Sequence, residues 1–189
     1  MKTPLLSELF FFRIAFSVVI LFSATGCKKN EFSENDAKIE TLKNNALEEK
    51  ETYFFSAIAN LSKKIISKSQ IAQQRTVQNK VKELSIQLEQ EQNNVFQKIN
   101  KIATKKLIII TEVNTTGNDD LYELMNTEDW NFDKQYLSEV ANAIAEEIEL
   151  VRNIRKETKD SIVLRLANEV IPQQYKLLGE IKRLEIEIN

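Results

Sequence analysis

The chain has 189 residues, a formal net charge of −2 and no histidine. This length suits one domain, and the small net charge gives no reason to expect a nucleic-acid partner or an acidic substrate. The lack of histidine removes the commonest general base and metal ligand, and the single cysteine excludes an internal disulfide. Three glycines and two prolines are too few for the turns of a sheet protein, so the composition indicates an all-α fold.

Residues 1–26 have the pattern of a lipoprotein signal peptide. Lys2 and Arg13 accompany a short apolar run, Ile14 to Phe22, which falls short of the roughly 20 residues that a membrane span needs. The residues Ser-Ala-Thr-Gly before Cys27 resemble a bacterial lipobox, with Ala where Leu is usual. We therefore expect cleavage before Cys27 and acylation of this residue. The alternative is ordinary secretion with an incidental free cysteine.

Residues 27–35 are polar and predict a tether between the lipid and a domain that covers residues 36–189. The sequence Lys-Lys-Asn-Glu directly after Cys27 resembles the charged surface-export signal of lipoproteins from Bacteroidetes-type bacteria. The predicted location is thus the outer membrane or the cell surface, and the choice between its periplasmic and exposed faces stays open. The expected membrane contact is the lipid anchor itself.

The first predicted helix begins at Asp36, with Ser33 or Asn35 as its N-cap. A turn over Ser67–Gln70 is expected to end it, and one continuous helix across these residues is the alternative. The second predicted helix spans Arg75–Lys105 and contains neither glycine nor proline. Its apolar residues follow an a/d seam: Val77, Val81, Leu84, Leu88, Val95, Ile99 and Ile102.

A β-prone run, Leu107–Val113, follows the second helix. Because no partner strand is evident, we expect an extended crossover packed on the helices. Asn114–Asp120 is a dense turn cluster, Leu121–Met125 predicts a short helix, and Trp130 is expected to cover one end of the core.

The third long helix is predicted to begin at the N-cap Asn131, and the fourth at the N-cap Asp160 with a kink at Pro172. The sequence therefore predicts an all-α, four-helix up-down bundle with an extended crossover between helices two and three. The predicted core stripes are Phe132, Leu137, Val140, Ile144, Ile148, Val151 and Ile154 in the third helix, and Val163, Leu166, Val170, Leu177, Ile181, Leu184 and Ile188 in the fourth.

Three landmarks carry a family resemblance: Val77–Ala103, the Phe-Asp-x-x-Tyr sequence that begins at Phe132, and Ile171–Leu178 with its Pro172. They resemble a family of bacterial secreted and lipid-anchored outer-membrane proteins with a ferritin-like four-helix domain of unknown function. The resemblance covers about Tyr53 to Leu184 and implies a ferritin-like fold.

This chain departs from that family at its histidines. The resemblance places the family's histidines at Gln92, at Ile144, and at Lys176 or Leu177. Leucine and isoleucine cannot coordinate a metal, and glutamine is a poor ligand for a transition metal. We therefore expect no metal and no other cofactor.

Polar residues interrupt each helical stripe near its middle, at heights that coincide in an antiparallel bundle. We predict a polar core layer formed by Asn60, Gln92, Glu147, Gln173 and Gln174. The ordinary interpretation is a layer that fixes helix register. The alternatives are a remnant of an ancestral site or a pocket for a small polar ligand.

No catalytic residues are predicted, and the expected role is non-enzymatic binding or scaffolding in the cell envelope, with the protein partner unknown. A carboxylate-based metal or oxidative-stress protein is the alternative, and it requires Glu91, Glu147 and either Glu169 or Glu180 to converge. A third possibility is a coiled coil that binds a partner through the segment 36–47. The lysines and arginines at positions 63, 64, 68, 75, 80 and 82 are expected to form a solvated helix face.

Overall fold

The computed structural model of the protein describes residues 31–111 and 117–188, and these residues form an all-α helical bundle. The leader, Cys27, the first part of the tether and Asn114–Thr116 of the turn cluster lie outside them. Internal contacts divide the chain into two units, Met1–Leu42 and Lys43–Asn189. The described part forms five helices and no strand: α1 (Glu31–Arg75), α2 (Asn79–Lys105), α3 (Gly117–Asn126), α4 (Asp129–Glu157) and α5 (Ser161–Glu187).

The core consists of two apolar clusters, which we name after Phe132 and Phe55. The apolar stripes predicted for the long helices supply most of both clusters, and Leu124 of α3 joins the first. The Phe132 cluster includes Ile65, Ala72, Val81, Leu84, Leu88, Leu124, Phe132, Tyr136, Ile144, Ile148, Leu177, Ile181 and Leu184. The Phe55 cluster includes Phe54, Phe55, Ile58, Ala59, Val95, Ile99, Ala103, Val151, Ile154, Val163, Leu166, Ala167 and Val170.

The order of these residues gives the direction of each helix. Along α1 and α5 the chain passes from the Phe55 cluster into the Phe132 cluster, whereas along α2 and α4 it passes the other way. The helices of each consecutive long pair, α1 with α2 and α4 with α5, are therefore antiparallel.

The predicted first turn is wrong. Helix α1 begins at Glu31, before Asp36, and continues through Ser67–Gln70 to Arg75. The polar residues that suggested a turn are instead tied to α4: the buried Ser69 hydroxyl lies 3.0 Å from the Tyr136 hydroxyl, and Lys68 pairs with Glu139. Because these groups are satisfied inside the bundle, the polar sequence does not break the helix.

Three further predictions, for residues just after α1 and at the start of α4, are wrong. Val77, assigned to the seam, lies between α1 and α2 and is 94% exposed. Trp130, expected to cover one end of the core, is 82% exposed, and its indole donates to Glu128 two residues earlier. Helix α4 begins at Asp129 rather than after Asn131. Its first buried aromatic residue is Phe132.

The crossover and the fourth long helix follow the prediction more closely. Leu107–Thr111 is non-helical, and Ile108 and Ile110 pack against the Phe55 cluster. The predicted short helix is present as α3, although it begins at Gly117, within the predicted turn cluster. Asp160 caps α5 as predicted, because its carboxylate accepts from the backbone N–H groups of Ile162 and Val163.

The Ser69–Tyr136 hydrogen bond gives a test of the continuous first helix. We expect Tyr136→Phe to lower the free energy of unfolding by about 1–2 kcal/mol, because the buried Ser69 hydroxyl loses its partner. Adding Ser69→Ala should then lower it by less than Ser69→Ala does alone, as urea unfolding would measure. The control is Tyr175→Phe on the partly exposed face of α5, which should change stability by less than about 0.5 kcal/mol.

Candidate functional site

A polar layer lies between the two apolar clusters and joins four helices. Ser62 of α1 donates to Glu147 Oε1 of α4 at 3.0 Å, and Gln92 of α2 donates its side-chain amide to Glu147 Oε2 at 3.1 Å. The same Gln92 amide donates to Gln174 Oε1 of α5, also at 3.1 Å. All four side chains are at most 1% exposed.

Local sequence spacing explains why these polar side chains point into the core. Gln92 lies four residues after Leu88 and three before Val95, and Gln174 lies at the same spacings between Val170 and Leu177. Each position continues the apolar a/d pattern of its helix, so the helix turns the side chain inward with its neighbours. Ser62 has the same spacings between Ile58 and Ile65, and Glu147 has them in reverse order, three residues after Ile144 and four before Val151.

Three of the five residues predicted for the layer meet there, and two do not. Gln92, Glu147 and Gln174 are brought together, whereas Asn60 donates its amide to the carbonyl of Thr111 in the crossover. Gln173, next to Gln174, is only partly buried.

Sequence reasoning missed Ser62, the layer's contribution from α1. Asn60 looked suitable because it is near the middle of the predicted first helix, but height alone does not set which way a side chain points. Ser62 lies four residues after Ile58 and three before Ile65, which is the heptad spacing. Asn60 lies two residues after Ile58 and five before Ile65, which is not. The heptad spacing was therefore the signal that could have identified Ser62.

Burial controls the charge of Glu147. Removal from water raises the pKa of its carboxyl group to about 8, although the hydrogen bonds from Ser62 and Gln92 act in the opposite direction. At neutral pH the carboxyl group is therefore mainly protonated, and the layer carries little net charge. A protonated carboxyl group still fits, because the Ser62 hydroxyl can accept as well as donate and the Gln92 amide can turn over.

Two polar atoms of the layer, Gln92 Oε1 and Gln174 Nε2, are buried without a hydrogen-bond partner among the described residues. One is an acceptor and the other is a donor. If both amides turned over, one donor and one acceptor would again remain. This balance suits a neutral group that both donates and accepts, whereas a metal ion needs acceptor atoms alone.

The carboxylates required by the metal alternative do not converge with Glu147. Glu169 is exposed and pairs with Lys98 at 2.6 Å, and Glu180 accepts from Gln87 at 2.9 Å. Glu91 is only partly buried. Across residues 31–111 and 117–188, no three carboxylate, cysteine or histidine side chains are grouped closely enough to hold a metal ion.

Two clefts on the described surface are lined by no residue of the layer. One, of about 320 Å³, lies between α2 and α5 and includes the ion pair Lys80–Glu187. The other, of about 220 Å³, includes Lys64 with Asp120 and Lys68 with Glu139. Lys68 is only 2% exposed, so the prediction of a uniformly solvated basic face is wrong at this position.

The Phe-Asp-x-x-Tyr sequence has a structural role in the described part of the chain. The rings of Phe132 and Tyr136 are parallel, with centroids 6.4 Å apart, and both are buried. The Arg75 guanidinium lies 4.5 Å from the centre of the Phe132 ring, and Ser69 contacts the Tyr136 hydroxyl. The motif thus anchors the start of α4 against the end of α1.

The fold and the layer together define a helical-bundle protein with a buried polar layer. The profile of a domain of unknown function, DUF4142, matches residues 36–184, and the chain belongs to this family. Among solved structures, the chain is similar to a DUF305 fragment from Deinococcus radiodurans, with a TM-score of 0.67 and 11% sequence identity. That match covers 73% of this chain and 96% of the fragment, and it supports a similar fold alone. No curated protein sequence matches the chain.

None of the described helices combines the length and the apolar character that crossing a membrane would require.

Glu147 predicts an unusual pH dependence of stability. Its pKa is about 8 in the folded protein and near 4.5 when unfolded, so the folded state binds the proton more tightly. The resulting stabilisation is complete below the lower value, decreases as the pH rises, and is lost above about pH 8. From about pH 5 to pH 8 we expect the free energy of unfolding to fall by a few kcal/mol at most, in roughly linear fashion.

Urea unfolding of the wild type and Glu147→Gln at several pH values would measure this. The variant should show a nearly flat profile, since the chain contains no histidine to titrate in this range. Glu83→Gln, at an exposed position of α2, is the control and should keep the wild-type slope. A wild-type profile that is flat, or a slope that survives in Glu147→Gln, would contradict the assignment.

Proposed function

We propose that this protein is a lipid-anchored component of the bacterial cell envelope with a non-enzymatic binding or scaffolding role. In this proposal the leader ends at Gly26, Cys27 carries acyl groups such as palmitate, and residues 27–35 connect the anchor to the bundle. The location is the outer membrane or the cell surface. The lipobox-like sequence before the only cysteine supports the anchor.

The closed polar layer is the observation that supports a non-enzymatic role most strongly. A catalytic acid or base must reach the proton that it transfers in a bound substrate. The Glu147 side chain is fully buried, and both of its oxygens are bonded to residues of neighbouring helices. The layer is therefore suited to fixing the register of the four helices, and binding is left to the outer surface of the bundle.

We also propose that the four long helices form a ferritin-like bundle. Helices α2 and α4 pass between the two apolar clusters in the same direction, which supports two antiparallel pairs joined by a long crossover. A simple up-down order would instead require consecutive helices to alternate in direction. The carryover from ferritin-like proteins concerns the helix arrangement and not their metal chemistry.

Replacement of Cys27 tests the anchor. We expect the wild-type protein to incorporate radiolabelled palmitate and to sediment with outer membranes, because several acyl chains on one residue hold a protein stably at a bilayer. Cys27→Ser should incorporate no label. Ser23→Ala is the control, because it changes the same region and keeps the cysteine. Equal labelling of the wild type and Cys27→Ser would exclude lipidation at this residue.

Metal analysis tests the cofactor-free interpretation. We expect the purified mature chain with Cys27→Ser to contain well under one equivalent of iron, manganese or zinc after incubation with each ion and desalting. Any residual metal should be the same in Glu147→Gln, since the layer offers a donor as well as acceptors. One equivalent in the parent protein that disappears in Glu147→Gln would favour the carboxylate-based metal protein instead.

A further inference from the structure

Four large apolar side chains are exposed near the end of α1. They are Val77, which is 94% exposed, Trp130 at 82%, Tyr122 at 70% and Met125 at 60%. Tyr122 and Met125 are three residues apart and share the outer face of α3, whereas Leu124 on the inner face is fully buried. These four residues form what we call the Trp130 surface.

A single arginine holds the segments of this surface together. Arg75, two residues before Val77, donates from Nη1 to the carbonyls of Leu124 and Met125 at 3.0 and 2.8 Å. Its Nη2 donates to the carbonyl of Thr127 at 2.7 Å and to the Asp129 carboxylate at 2.6 Å. The end of α1, the end of α3 and the start of α4 are therefore fixed to one guanidinium. The exposed side chains project from a held framework.

The chain around the Trp130 surface is strongly acidic. Between Gly117 and Lys134 there are six carboxylates and one cation, Lys134, although the whole chain has a net charge of only −2. Two of the six pair with cations of α1, Asp120 with Lys64 and Asp129 with Arg75. Of the others, Glu123 and Glu128 are exposed and flank the apolar residues Tyr122, Met125 and Trp130 in the sequence.

We propose that the Trp130 surface is a docking site for a cationic, amphipathic segment of a protein partner. The exposed aromatic and Met side chains offer contact area of the kind enriched in interfaces, and the surrounding carboxylates attract lysine and arginine. The same charge repels the anionic lipids of a membrane and a second copy of this acidic surface. This assignment rests on the proposed binding role and names the kind of partner.

Trp130 is the only tryptophan of the chain, so intrinsic fluorescence reports on this surface alone. The test uses the mature chain with Cys27→Ser and an amphipathic helical peptide of leucine and lysine that contains no aromatic residue. We expect a saturable blue shift of the emission, because docking removes the exposed indole from water. The shift should weaken between about 0.1 and 1 M salt, as the screening length falls from about 10 to 3 Å.

Two variants and one control locate the interaction. Glu123→Gln with Glu128→Gln, and separately Val77→Ser with Met125→Ser, should each raise the Kd for the peptide about tenfold. Ile109→Ser removes an apolar residue that is 79% exposed at the opposite end of the bundle, where its neighbours pack on the Phe55 cluster, and it should leave the Kd unchanged. Circular dichroism would show that every variant keeps its helix content.

Several outcomes would overturn the proposal. One is the absence of a shift with the leucine–lysine peptide, and another is an equal shift with a leucine–glutamate peptide. A third is an emission maximum that changes with the concentration of the protein alone, because this would report self-association. A shift with vesicles of phosphatidylglycerol or phosphatidylcholine but not with the peptide would assign the surface to membrane contact. Loss of palmitate labelling at Cys27 would concern the anchor alone and would leave this binding result unaffected.

Discussion

The buried carboxyl group of Glu147 is the constraint on which the arrangement of the bundle depends. Its two oxygens bond to α1 and α2, and Gln92 extends the connection to α5. A shift of one helix by a single turn would place an aliphatic side chain opposite these groups and leave them unsatisfied, at about 1–3 kcal/mol for each lost partner. The layer therefore opposes sliding of the helices, which the apolar clusters on either side would tolerate better.

The protonation state of Glu147 decides how favourable this arrangement is. An ionised carboxylate in the same place would carry a large desolvation penalty, and its surroundings supply hydrogen bonds but no cation. The neutral acid keeps the geometric specificity of a polar layer at a smaller cost, because hydroxyl and amide neighbours can reverse their roles. The layer thus joins the helices through hydrogen bonds between neutral side chains.

Much of this architecture could be predicted from the sequence, because the apolar spacing is regular. The stripes of α2, α4 and α5 and the Asp160 cap are read directly from heptad positions and one capping residue. The errors arose where a local signal competed with a tertiary contact. The polar residues Ser67–Gln70 suggested a turn, but Ser69 and Lys68 bond to Tyr136 and Glu139 of α4, and the stretch is helical. Trp130 was expected to cover one end of the core, yet the buried aromatic residue is Phe132, about half a turn later.

The candidate site was predicted in part for the same reason. Gln92, Glu147 and Gln174 interrupt apolar stripes, and interruption is visible in a sequence. Ser62 is small enough to pass as an ordinary helical serine, and only its contact with Glu147 gives it a role. The Trp130 surface could not be predicted, because Arg75 brings together segments that are about 50 residues apart. Register and exposure are thus set by different parts of the molecule. The closed layer holds the register of the helices, and the contacts of Arg75 hold the segments whose apolar side chains are exposed.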